Sequence, residues 1–160
     1  MPAHLRLTLL VLIALACVVA RAGVAVGATA KHLKVSRATR EAHEQAQVVK
    51  YARKFLGVPY RYGGSSPYGG FDCSGFTRFI YAHFGVSLPH YSGAQWNMGM
   101  RVSLKGLRPG DVLFFDGLGH VGLYIGHNLF IHAPHTGTRV SISSLTGWYG
   151  ARFDGARRFF

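Results

Sequence analysis

The chain has 160 residues, 49% of them hydrophobic, and carries 18 Lys and Arg against 6 Asp and Glu, a formal net charge of +12. That length and composition exclude a disordered tail or a repeat array and suit one globular domain that needs no disulfide staples. The basic residues are scattered singly or in pairs (Arg53-Lys54, Arg78, Arg101, Arg139, Arg157-Arg158), which predicts attraction to anionic surfaces without a stripe for nucleic acid.

The first residues read as an export signal. His4 and Arg6 give a basic start, Leu7 to Ala20 are almost unbroken Leu, Val, Ile and Ala, and Ala28-Thr29-Ala30 supplies an Ala-x-Ala cleavage site. The apolar run falls short of the about 20 residues that a membrane helix needs. A rival reading makes Leu15-Ala16-Cys17 a lipoprotein signal, with a lipid anchor on Cys17. Residues 1–30 are therefore expected to be the signal, 31–44 a flexible lead-in and 45–160 the functional domain, working in the periplasm or cell envelope. An anionic envelope surface, whether wall polymer or lipid headgroup, is the expected partner there, and no nucleic acid is.

Helix one is predicted over about 38–56, where Ala42, Ala46, Val49, Ala52 and Leu56 recur at helical spacing beside Val48 and Phe55. Gly57 and Pro59 stop it. The stretch from Tyr60 to Gly70 is too glycine-rich to predict regular structure. Helix two starts near Cys73, carries Phe76, Phe79, Ile80 and Phe84 on one face and ends at Gly85. A short helical piece is expected around Ser92 to Met98. Beyond Arg101 strands are predicted over 112–115, 120–125, 129–133, 139–142 and 152–159. Helices first and strands afterward predict an α+β fold, with N-terminal helices packed on an antiparallel sheet.

Signal removal takes Cys17 with it and leaves Cys73 without a partner. A lone thiol in an exported protein points to reactivity, and a buried structural cysteine is the plain alternative. Asp72 is placed to cap helix two, so Cys73 falls in the first turn, where the helix dipole is expected to lower the thiol pKa. Small Ser74 and Gly75 are expected to leave room for a substrate chain.

A cysteine nucleophile needs a base, and the base needs an orienting group. His120 opens the strand His120-Val121-Gly122-Leu123-Tyr124-Ile125, whose alternation puts His120, Gly122 and Tyr124 on one face. With a three-residue loop Gly126-His127-Asn128, Gly122 opposes His132, and His132 lies diagonal to His120 at roughly 7–8 Å by Cα. With a two-residue loop His127-Asn128, His132 turns to the other face and His135 opposes His120. Asn128 suits the left-handed position of the longer loop, which favours His132 and leaves His135 as the rival.

These residues carry a resemblance. Gly57-Val58-Pro59-Tyr60-Arg61-Tyr62-Gly63-Gly64, Asp72-Cys73-Ser74-Gly75-Phe76, the stretch from Leu107 to Phe115, His120 to Gly126, and Phe130-Ile131-His132-Ala133 together resemble the NlpC-type cell-wall peptidases. The resemblance covers nearly all of residues 45–158. It implies a papain-like fold and hydrolysis of amide bonds in peptidoglycan stem peptides or cross-links through a thioester. By the same resemblance Cys73 is the nucleophile, His120 the base and His132 the orienting residue. Tyr60 then lends its hydroxyl to the oxyanion site beside the Cys73 amide, with Asp72 and Ser74 at the oxyanion and substrate side.

The other histidines invite a zinc reading. His120, His127, His132 and His135 lack a carboxylate or thiolate partner and His127 falls at a turn tip, so no metal and no cofactor is expected. Asp111, after Pro109-Gly110, is expected to fix a turn. Trp96, Trp148 and Tyr149 are read as core or groove wall, and Arg61 and Arg78 as solvated or as contacts for stem-peptide carboxylates. Two function classes remain: a secreted cysteine peptidase acting on peptidoglycan peptides, and a catalytically inactive wall- or membrane-binding module of the same fold. Transfer of the thioester to another acceptor is a variant of the first.

Overall fold

The structure is a computed structural model that describes residues 36–160. The export signal, its cleavage site and the anchor at Cys17 lie outside the described residues. Among the described residues, 36–41 and 42–160 fall in separate units. In the first, residues 36–41 are helical and Arg37 Nε pairs with Glu41 Oε1 one turn on, at 2.9 Å. The second holds everything that follows.

The described residues 36–44, which the sequence assigned to the flexible lead-in 31–44, are helical in their respective units, and in the second unit helix α1 covers 42–53. Its buried positions are Gln45, Val48 and Ala52, with Val49, Tyr51 and Phe55 packed beside them. Ala42, Ala46 and Leu56 face solvent instead. Alanine recurs on helix surfaces as readily as in cores, so the larger side chains decide which stripe is inward. Gly57, at φ +86°, lies in the left-handed region beyond the helix end.

The expected loop between Tyr60 and Gly70 contains a two-stranded sheet, β1 (Ser65–Ser66) and β2 (Gly70–Phe71), paired antiparallel. Helix α2 (Cys73–His83) follows and buries Phe76, Ile80 and Tyr81; α3 (Ser92–Trp96) is a single short turn. Then come β3 (Met100–Val102), β4 (Val112–Phe115), β5 (His120–Gly126), β6 (Leu129–His132), β7 (Ser141–Ser144) and β8 (Phe153–Arg158). They form one antiparallel sheet in the order β3-β8-β4-β5-β6-β7. The expected α+β architecture is what the chain adopts. Strand β3 gave no clear sequence signal because it is short and exposed at the sheet edge, with Met100 61% accessible. Strand β7 starts two residues later than predicted, because Arg139 is held in an isolated bridge to Pro59.

The two faces of the sheet bury different layers. Val112, Phe114, Val121, Leu123 and Ile131 pack with α2 through Phe76, Ile80 and Tyr81. Leu113, Phe115, Tyr124, Phe130 and Ala156 form a second layer covered by Leu145, Tyr149 and Phe153. Both faces are thus dry, which suits the near-continuous apolar runs of β4 and β5.

The β5–β6 hairpin corrects the loop argument. Its turn is the two residues His127 and Asn128, both left-handed at φ 53° and 55°. That pairing alone would have turned His132 away. A bulge between Tyr124 and Gly126 absorbs one residue, so that Tyr124 opposes Phe130 and Leu123 opposes Ile131. Beyond the bulge the register matches that of the longer loop, with Gly122 next to His132.

Candidate active site

The start of α2 is organised by one carboxylate. Asp72 is the N-cap in extended conformation, and its Oδ1 accepts from Gly75 N at 2.6 Å and from the Ser74 hydroxyl at 3.1 Å. Its Oδ2 accepts from Gly63 N at 2.9 Å. His90 Nε2 lies 2.9 and 3.0 Å from the two oxygens. Asp72 thus fastens the glycine loop, the helix start and the segment before α3 to one point, and the cap alone is worth about 1 kcal/mol. A Cβ on Gly75 would sit 2.1 Å from Gly64 O and 2.7 Å from His90 Nε2. The space beside Gly75 is therefore filled by the protein itself, so of the two small residues expected to leave room for a substrate chain only Ser74 borders the open cleft.

Cys73 is half-buried in the first turn of α2. Burial pushes its thiol up; the backbone N–H of Val121 favours the thiolate, the Asp72 charge opposes it, and the amides of Ser74 and Cys73 favour it again. The net direction is upward, which corrects the expected lowering. Helix-start amides do act on the sulfur, but removing it from water and placing it beside a carboxylate outweigh them.

His120 is the first residue of β5 and His132 the last of β6. His120 Nε2 lies 2.7 Å from His132 Nδ1. His132 is fully buried, and its Nε2 lies 2.9 Å from Ser143 Oγ on β7. Tyr149 stands edge-on to the His132 ring at 5.2 Å, and Phe130 packs 4.7 Å away. A Cβ on Gly122 would lie 2.5 Å from Phe130 Cδ2 and 3.1 Å from His132 Cβ, so glycine there lets the His132 ring settle. Burial lowers the His120 pKa to about 4, with Asp116 opposing and His135 adding to the fall. Burial lowers His132 to about 3, helped by His120 and His135. The rival His135 is exposed on the loop beyond β6, with its Nδ1 2.9 Å from the Thr136 carbonyl. Both site histidines are therefore neutral at pH 7, as is the thiol.

Asp116 and Leu118, in the loop entering β5, are non-glycine residues at positive φ, 57° and 68°. Such conformations persist only when held. Leu118 N donates to Asp154 Oδ2 at 2.8 Å, and Ser92 Oγ donates to Leu118 O at 2.6 Å. This pinned loop walls an open cleft of about 410 Å³, whose other sides include Tyr60, Cys73, Ser74, His90 and Tyr91. Burial, then the Cys73 charge, raise the Tyr60 phenol pKa, which puts that hydroxyl within electrostatic reach of the sulfur. Among the described residues, no group of three or more His, Cys, Asp or Glu side chains is spaced to hold a metal ion.

The arrangement offers a thiol at a helix start and an imidazole whose Nε2 is occupied, leaving its Nδ1 as the free nitrogen. The NlpC/P60 family model matches residues 57–158. The chain belongs to the NlpC/P60 family. This NlpC/P60 chain is 39% identical over 119 residues to the gamma-DL-glutamyl hydrolase of Bacillus subtilis, covering 70% of this chain and 29% of that protein. It is 36% identical over 110 residues to the peptidoglycan endopeptidase RipA of Mycobacterium tuberculosis, covering 60% of this chain and 23% of that one. The chain thus spans less than a third of the length of these curated relatives. A crystal structure of an NlpC/P60 protein from Bacillus cereus superposes with a TM-score of 0.66 at 39% identity, covering 70% of this chain and 39% of that one. The papain-like NlpC/P60 fold expected from the motifs is the fold found.

His90 and Ser143 were missed in the sequence. Each acts across a long separation, 18 residues to Asp72 and 11 to His132, and no local pattern marks either. Tyr149, read as a wall, packs on the histidine pair itself.

Proposed function

We propose that this NlpC/P60 domain is an exported cysteine peptidase that hydrolyses amide bonds in peptidoglycan stem peptides or their cross-links. The observation that carries the reading is the 2.7 Å contact between His120 Nε2 and His132 Nδ1, which engages one ring nitrogen of His120 and leaves Nδ1 as the nitrogen that would serve the Cys73 thiol. The family membership and the activities named for its relatives support it.

In this mechanism the neutral pair sets the order of events. His120 Nδ1 takes the thiol proton as the sulfur attacks the amide carbonyl, so proton transfer and attack proceed together rather than from a preformed ion pair. The tetrahedral oxyanion accepts hydrogen bonds from the Cys73 N–H and the Tyr60 phenol, donors whose loss costs roughly a hundredfold or more in rate. His120 then gives the proton to the leaving amine nitrogen, the C–N bond breaks and a thioester remains. Water attacks the thioester with His120 as base, and the thiol is released. His132 holds the His120 ring throughout, and Asp72 and Ser74 border the bound peptide. Export to the periplasm or cell envelope rests on the signal-like residues 1–30, with Cys17 as the acylated residue if that signal is of the lipoprotein type. Attraction of the basic domain to an anionic envelope surface keeps it near its substrate.

Digestion of purified muropeptides by the native protein and by Cys73→Ala, read by mass spectrometry, tests the proposal and names the bond. New peptide termini from the native protein alone are expected. Equal release by both proteins would rule the peptidase out.

A further inference from the structure

We infer that Ser143 is a positioning residue that sets the tautomers of both buried histidines, and so delivers His120 with an unprotonated Nδ1. Its consequence for catalysis rests on the peptidase reading above; its geometry does not.

Two neutral imidazoles joined nitrogen to nitrogen at 2.7 Å must divide the roles of donor and acceptor. In one arrangement His132 Nδ1–H donates to a bare His120 Nε2. His120 then carries its proton on Nδ1 and cannot take one from a thiol. In the other, His120 Nε2–H donates to a bare His132 Nδ1, and His120 Nδ1 is free to act as base. The second arrangement requires His132 to carry its proton on Nε2, and that N–H needs an acceptor because His132 is fully buried. Ser143 Oγ, 2.9 Å from His132 Nε2, is that acceptor.

The sheet makes this contact possible. His132 directly opposes Ser141 in the β6–β7 register, and Phe130 opposes Ser143, so Ser143 is the diagonal neighbour of His132 on the same face. Ser143 is half-exposed, so its own hydroxyl proton has solvent to go to while the oxygen accepts. Without Ser143 the Nε2–H form of His132 would bury an orphan donor, and the Nδ1–H form would bury only a bare lone pair. An unmet N–H is the costlier of the two. Loss of Ser143 therefore tilts the pair toward the arrangement in which His120 cannot act as a base. The sulfur side is compatible: the backbone amides of Val121, Ser74 and Cys73 already direct donors at the sulfur, while burial and Asp72 keep the thiol protonated.

The test is nitrogen-15 NMR of histidine-labelled protein at neutral pH, beside muropeptide kinetics. The wild type is expected to show both His120 and His132 protonated on Nε2. Ser143→Ala is expected to move His132 toward Nδ1–H and to lower kcat roughly tenfold to a hundredfold with KM within twofold, because the wrong tautomer disables a triad without touching substrate binding. Ser143→Thr, which keeps the acceptor, restores both. A wild-type His132 protonated on Nδ1 overturns the inference, and so does Ser143→Ala with unchanged tautomers and kcat. The wild-type spectrum decides even where a variant fails to fold. A wild type with the stated tautomers and no muropeptide cleavage sinks the peptidase reading and leaves the tautomer assignment standing.

Discussion

His120 Nε2 and His132 Nδ1 lie 2.7 Å apart, one ring at the start of β5 and the other at the end of β6. An antiparallel hairpin brings those two ends together, and α2, whose first residue is Cys73, packs against both strands.

His132 is expected to act through His120 and not on the substrate. His132→Ala should lower kcat by about 10² or more with little change in KM. His132→Gln, which can still accept from His120 Nε2–H, should lose less. Steady-state kinetics on a defined muropeptide checks both, and a rise in KM at constant kcat would assign His132 to binding instead.

Acid should destabilise the fold through the same pair. Burial holds the folded pKa values of His120 and His132 at about 4 and about 3, below the ordinary value of 6.5. As pH falls below about 6.5 the unfolded chain takes up protons first, so stability is full above that pH and is lost progressively toward pH 4 and 3. Thermal melts at pH 7.5 and pH 4.5 should show a lower Tm in acid. The drop should be smaller in His132→Gln.

Gly122 is expected to tolerate no side chain. A Cβ there meets Phe130 Cδ2 at 2.5 Å and His132 Cβ at 3.1 Å, so Gly122→Ala must displace a ring of the second core layer. The expected cost is about 1–3 kcal/mol in stability, together with reduced kcat as the His132 ring shifts. Chemical denaturation and kinetics measure the two effects separately.

How much of this was legible from residues alone follows a physical line. The placement of Cys73 at a helix start and of His120 beside His132 was legible because a cap residue, a strand alternation and a hairpin register are local properties. The turn type was misjudged and the facing pair still came out right, because the bulge near Ile125 restored the register that the two-residue turn removed. The direction of the thiol pKa was misread: proximity to a helix start is written in the sequence, whereas desolvation is a property of the packed fold. Strands β1 and β2 escaped notice since two-residue strands owe their existence to tertiary contacts, such as Arg61 N donating to Phe71 O at 2.9 Å. Asp111 was read as a turn residue and does accept from Arg108 N at 2.7 Å. Its larger role, invisible in the sequence, is a two-oxygen contact with Arg158, at 2.7 Å to each oxygen.

That pair yields a prediction about stability. Asp111 is fully buried, so Asp111→Ala removes two charge-assisted hydrogen bonds from the mostly buried Arg158 guanidinium, whose Nη2 keeps the Gly106 carbonyl. The expected loss is about 3–5 kcal/mol, measured by urea unfolding. Replacement without loss would show that the carboxylate contributes nothing to the fold.

Cys73 is the only free cysteine among the described residues, so its chemistry can be titrated directly against activity. Stepwise carboxymethylation of the mature protein, with Cys73 occupancy and muropeptide cleavage measured on the same samples, is the most direct measurement. Residual activity should fall in proportion to the modified fraction and reach zero when every Cys73 is blocked. Full activity in fully modified protein would contradict the account.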